Sequence, residues 1–86
     1  MHEYHLLKDL LQKIDQVTLE QSLKKIHSVK IWLGALSHIS PEHLKEHFQN
    51  ESKGHACQGA TLLIECSNQI DHEDANEIRL LSLDAE

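Results

Sequence analysis

The apolar residues change period along the chain, and that change restricts the fold more than any other feature. Over residues 3–16, Tyr4, Leu7, Leu11 and Ile14 recur at spacings of three and four, with Leu6, Leu10 and Val17 widening the stripe. That is the pattern of an amphipathic helix with one buried face. Lys8, Asp9, Lys13 and Asp15 lie off this face. Further on the period drops to two. Val29, Ile31 and Leu33 alternate with Ser28, Lys30 and Trp32, as in a half-buried strand that Gly34 ends or bends.

Thr18 with Gln21 resembles a capping box, and Leu19, Leu23 and Ile26 would extend the apolar stripe. A second short helix over 19–26 is therefore expected as one option, a single longer helix as the other. Ser40-Pro41-Glu42 is a helix start, with Ser at the N-cap, Pro at the first helical position and an acid in the first turn. This helix should run to about Glu51, bury Leu44 and Phe48, and end at Lys53-Gly54 with Gly54 as a left-handed cap. Residues 60–66 read as a strand with Ala60, Leu62 and Ile64 inward. Residues 67–76 read as a polar, acidic loop. Residues 77–84 read as a last strand with Ile78, Leu80 and Leu83 inward. The order helix, strand, helix, strand, strand implies an α/β (α+β) fold: two helices packed on one face of a three-stranded mixed sheet.

With 86 residues there is material for one domain, 1–86, and one modest core. A deep substrate cleft is not expected in it, which argues against an enzyme. Residues 1–50 carry six acids and six lysines, whereas residues 51–86 carry eight acids and two bases and so hold the whole net charge of −6. No basic stretch could follow a phosphate backbone, so nucleic acid is not an expected partner. An acidic tail is a solvated surface or a docking face for a basic partner. There is no secretory signal and no apolar run long enough to span a membrane, so a cytoplasmic protein with reduced Cys57 and Cys66 is expected.

Eight histidines stand out in a chain this short, and imidazole is the commonest protein metal ligand. Three groupings are candidates. Met1-His2-Glu3 offers an N-terminal amine, backbone nitrogens and an imidazole, with the Glu3 carboxylate nearby. A bulky second residue should keep Met1 in place. A planar set of nitrogens suits Ni(II) or Cu(II) and does not suit the tetrahedral preference of Zn(II). The plain alternative is an ordinary flexible terminus. His5, one turn on from His2, is either a further ligand or a surface residue. The second grouping, His43-Leu44-Lys45-Glu46-His47, places two histidines one helical turn apart. It matches the H-x-x-E-H string of inverted zinc peptidases, but lacks their distal ligand, cleft and scaffold size. Metal capture by the pair alone, or a simple solvated helix side, are the other readings. The third, His55, Cys57, Cys66 and His72, follows no zinc-ligand spacing, and a loop histidine with a half-buried thiol explains it as well. His27 and His38 flank the first strand as surface positions.

Taken in order, these segments resemble the HypA/HybF family of hydrogenase nickel-incorporation proteins. Met1-His2-Glu3-Tyr4 is similar to the opening its members use to bind nickel. The stretch from Val29 to Ser37, Pro41 to Leu44 with Phe48, Lys53-Gly54, Gly59 to Glu65 and Glu77 to Asp84 resemble its successive strands and second helix. The resemblance covers nearly the whole chain. It implies a metallochaperone, not an enzyme, that binds Ni(II) through His2 and backbone nitrogens near positions 1 to 3, with Glu3 in support. It further implies delivery to a [NiFe]-hydrogenase large-subunit precursor, or toward urease with its accessory proteins, beside a HypB-type GTPase.

One departure is large. The family inserts a zinc-binding domain with two C-x-x-C pairs where this chain has only residues 67–76, so no structural zinc is expected. His72 in that loop is the one substitute ligand the resemblance leaves. His5, Trp32, His55, Cys57 and Gln58 are smaller departures, with Trp32 a candidate contact patch. The competing reading is an interaction module that keeps the fold, has lost metal delivery, and binds the GTPase or another partner.

Overall fold

The computed structural model describes every residue except Met1, His38, His72 and Asp74, and for His2, Glu3 and Tyr4 it describes the backbone alone. The elements run α1 (His2–Glu20), β1 (Ile26–Leu33), α2 (Pro41–Glu51), β2 (Thr61–Cys66) and β3 (Ile78–Ala85). The three strands form one sheet in the order β2-β1-β3. β1 is parallel to β2 and antiparallel to β3. Both helices cover the same face of this mixed sheet, α1 toward β3 and α2 toward β2.

α1 is a single helix that ends at Glu20, so neither option for residues 19–26 is realised: no second helix forms there and the first does not continue to Ile26, which is the first residue of β1. Thr18 caps nothing at its own amide end. Its hydroxyl donates back to the carbonyl of Ile14 at 2.8 Å, a bond made inside a continuing helix. The chain leaves the helix through a Schellman cap. Ser22 takes the left-handed conformation with φ 53, its amide donates to Leu19, and the amide of Leu23 donates to Thr18. This turn redirects the backbone, so Ile26 enters the sheet as the first residue of β1. Leu19 sits about 140° round the helix from Ile14 and is 81% exposed.

The buried face of α1 is Leu7, Leu10, Leu11 and Ile14, as the periodicity requires, and Tyr4 lies outside the described side chains. α2 adds Leu44 and Phe48. Ser40 occupies its N-cap position with an extended backbone but makes no side-chain capping bond, so Pro41 and Glu42 carry the start. The helix closes on buried Ser52, whose amide donates to Phe48. Gly54 has a left-handed φ of 86, but it lies two residues beyond that cap, where its amide donates to the side chain of Gln58. It therefore serves the 52–59 turn and does not cap α2.

In the sheet Val29, Ile31, Leu33 and Leu62 are buried, with Ile64, Ile78, Leu80 and Leu83 half-buried against them. Strict alternation from Ile78 and Leu80 would bring Ser82 inward. Lys30 pairs with Ser82 and Ile31 with Leu80, which leaves Leu81 as an extra residue on β3. That bulge resets the parity and turns Leu83 and Ala85 toward the core. A matching irregularity at His27 allows Ile26 and Val29, three apart, to share the buried side. The uncovered face carries Lys30, Leu63, Glu65 and Arg79, and the half-buried Trp32 lies between Glu65 and Arg79.

Residues 67–77 connect β2 to β3 past the end of β1. They are stitched there by three backbone bonds: Ser67 N–H to Leu33, Gly34 N–H to Glu77 and Leu36 N–H to Ala75. Ala75 is buried beneath them. Among the described residues no helix is long and apolar enough to cross a membrane.

Candidate metal centre

Met1 and His72 fall outside the described residues, as do the side chains of His2 and Glu3. The backbone is described from His2 onward: α1 begins there and continues without a break for 19 residues. The amides of His2 and Glu3 thus belong to a first helical turn, where backbone N–H groups have no intrahelical acceptor. His5 stands on the exposed side of the same turn.

The second grouping is fully described. Every turn of α2 that buries Leu44 and Phe48 leaves His43, Glu46 and His47 in solvent. The His43 and His47 rings lie 6.0 Å apart, centre to centre, and within 9° of parallel. Among the described residues no three His, Cys, Asp or Glu side chains converge so as to hold a metal ion.

The third grouping separates. Cys57 is completely buried in the core between α2 and β2, and Cys66 is exposed at the end of β2; both are free thiols. Burial pushes the Cys57 thiol up to about 11; its backbone hydrogen bond opposes that rise, and the Asp15 carboxylate adds to it. A protonated buried thiol is neither a ligand nor a nucleophile at neutral pH.

His55 has a partner the sequence did not suggest. Asp15, which the helical period places on the solvated side of α1, reaches across to residues 55 and 56. Its Oδ2 lies 2.7 Å from Nδ1 of His55, and its Oδ1 accepts from the amide of Ala56 at 3.0 Å. A carboxylate only accepts, so Nδ1 of His55 carries the proton in this contact. The two bonds fasten the turn after α2 to α1 and keep the Asp15 carboxylate close enough to Cys57 to act on its thiol. The partners are 40 residues apart, and neither helical period nor local motif signals such a tie. His27 is exposed, as expected, and approaches Glu86 at 3.5 Å.

Comparison with known proteins supplies the wider context. Residues 1–74 match the family model described as hydrogenase/urease nickel incorporation, metallochaperone, HypA. The chain is 33% identical over 64 residues to the hydrogenase maturation factor HypA of Acidithiobacillus ferrooxidans, covering 74% of this chain and 57% of the relative. It is 35% identical over 65 residues to that of Moorella thermoacetica, covering 76% and 58%. The chain thus spans little more than half the length of the curated relatives it matches.

Its fold is similar to the solution structure of the Ni metallochaperone HypA from Helicobacter pylori, with a TM-score of 0.82 at 21% identity over 99% of this chain and 97% of that one. A second solution structure of a HypA protein gives a TM-score of 0.72 at 22% identity, over 100% and 97%. The family match runs from the Met1-His2-Glu3 opening through α1, β1, α2 and β2 and most of the β2–β3 connection, and on that match the chain belongs to the HypA family.

Proposed function

We propose that the chain is a nickel metallochaperone that takes Ni(II) as cargo at its N-terminus, for [NiFe]-hydrogenase or urease maturation. In this reading the Met1 amine, the backbone nitrogens near positions 1 to 3 and the His2 imidazole form the plane, with the Glu3 carboxylate in support. The observation that carries it is that His2 and Glu3 open α1, in a first turn whose amides have no intrahelical acceptors, inside the segment that matches the family. Nitrogen donors in a plane favour Ni(II) and Cu(II) by geometry. His5 and His72 are the further ligands proposed, the former one turn along the helix and the latter from the β2–β3 connection.

Structural zinc has no place in this proposal, because residues 67–77 contain neither C-x-x-C pair. The proposed partners are a HypB-type GTPase and a hydrogenase large-subunit precursor, met in the cytoplasm. No reaction is assigned to the chain itself. The test is a Ni(II) titration of untagged protein. One equivalent should bind with the absorbance of a planar nickel site, and that equivalent and its band should vanish in His2→Ala and when any residue precedes Met1. An undiminished planar band in either variant would reject the site.

The interaction-module reading predicts a different pattern: normal hydrogenase maturation with His2→Ala and a defect only when the protein surface is altered.

A further inference from the structure

We infer that His43 and His47 form a second, two-ligand site for a divalent transition-metal ion on the exposed side of α2, one that is independent of the N-terminus. Residues four apart on a helix differ by about 40° round the axis and about 6 Å along it. The structure shows the outcome of that spacing: two near-parallel rings, 6.0 Å between centres, on the same side of the helix. A zinc or nickel ion binds imidazole nitrogen at about 2.0–2.1 Å, so the two ring edges must close by a small rotation of each side chain. Both side chains are exposed, so an ion can reach them from solvent.

The backbone beneath them is fixed, because Leu44 and Phe48, one residue on from each histidine, are anchored in the core with 0% and 1% exposure. The pair is therefore pre-positioned on a rigid element, and the second imidazole is held close to any ion that the first one captures.

The surrounding charge favours a cation. Glu46, three residues after His43, and Glu51, four after His47, are exposed on either flank of the pair. Lys45 projects about 200° round the helix from His43 and does not oppose the ion. Imidazole pairs accept Zn(II), Ni(II) and Cu(II). Since no third donor converges there among the described residues, water completes the coordination. Such an ion exchanges readily, which suits a foothold for metal in transit and not a structural centre.

Zn(II) is the discriminating probe, because the planar N-terminal set disfavours it. Calorimetric titration of the full chain with Zn(II) should show one ion bound. Affinity should fall at least about tenfold in His43→Gln and equally in His47→Gln, and should stay within about twofold in His2→Ala and His27→Gln.

A spacing control separates ligation from any structural role of His47. Adding Glu46→His to His47→Gln restores a same-face pair and should recover binding to within roughly threefold. Adding Lys45→His instead points the second ring to the far side and should recover nothing. Zn(II) binding that survives His43→Gln, that is lost in His27→Gln, or that returns with Lys45→His overturns the site. Each of these results leaves the N-terminal nickel reading to its own titration.

Discussion

At the scale of single residues, the core thiol is the most informative group. Cys57 has no exposed surface, and its thiol is pushed from the ordinary value of 9.0 up to about 11, chiefly by burial. Its folded value lies above its unfolded value, so the unfolded chain loses this proton first as the medium becomes alkaline. The contribution to stability is complete below pH 9 and declines between pH 9 and pH 11. The difference in unfolding free energy between the native chain and Cys57→Ala should therefore shrink across that window, by roughly 2–3 kcal/mol in all, in urea denaturation at stepped pH. A difference that stays constant across the window would show the thiol unshifted. Little of this is legible in the sequence. The sequence leaves Cys57 between a loop metal ligand and a half-buried thiol, and the tie from Asp15 to His55, 40 residues away, that fastens this turn to α1 is not signalled in it.

At the scale of elements, the helices and strands follow their periods, while the joints between them follow rules that periods do not contain. Leu7, Leu11 and Ile14 on α1 and Leu44 and Phe48 on α2 were legible because apolar spacing alone determines which side is buried. The end of α1 was not, since the left-handed cap position holds Ser22 where glycine is the usual signal. Leu83 faces the core as expected, but only because Leu81 is an extra residue on β3, and that bulge leaves no mark in an alternating sequence. The cap yields a direct prediction. A left-handed L-residue costs about 1–2 kcal/mol, partly offset by the greater unfolded-state freedom of glycine. Ser22→Gly should stabilise the protein by about 0.5 kcal/mol, seen as a rise of roughly 2–4 °C in the thermal midpoint. A lower midpoint would mean that the Ser22 side chain contributes more than its backbone loses.

At the scale of the whole molecule, the order of elements and the mixed sheet were legible from sequence, and so was the family, through the ordered set of segments more than through any one of them. The proposed nickel ligands were legible only in that way, because three residues at a terminus carry no periodic or geometric signature. The candidate surface pair on α2 was legible as spacing, and the structure added the stacked rings and the rigid backbone beneath them.

The connection from β2 to β3 carries a further consequence. Its two ends are pinned at residues 67 and 75–77 beside Leu33, Gly34 and Leu36, on either side of the central strand. Two sheet positions of that kind are about 10 Å apart. Exposed residues 68–71 between the pins take no part in the core. Lengthening a loop adds closure entropy only as the logarithm of its length, about 0.6 kcal/mol per doubling. Six Gly/Ser residues placed between Ile70 and Asp71 should therefore lower stability by less than about 1 kcal/mol in urea denaturation; a larger loss would show that these residues brace the sheet. By this reckoning the fold has a built-in socket: additional chain of almost any length, up to an entire folded module, can leave and re-enter at one rim of the sheet while the two-helix body beneath it keeps the same core.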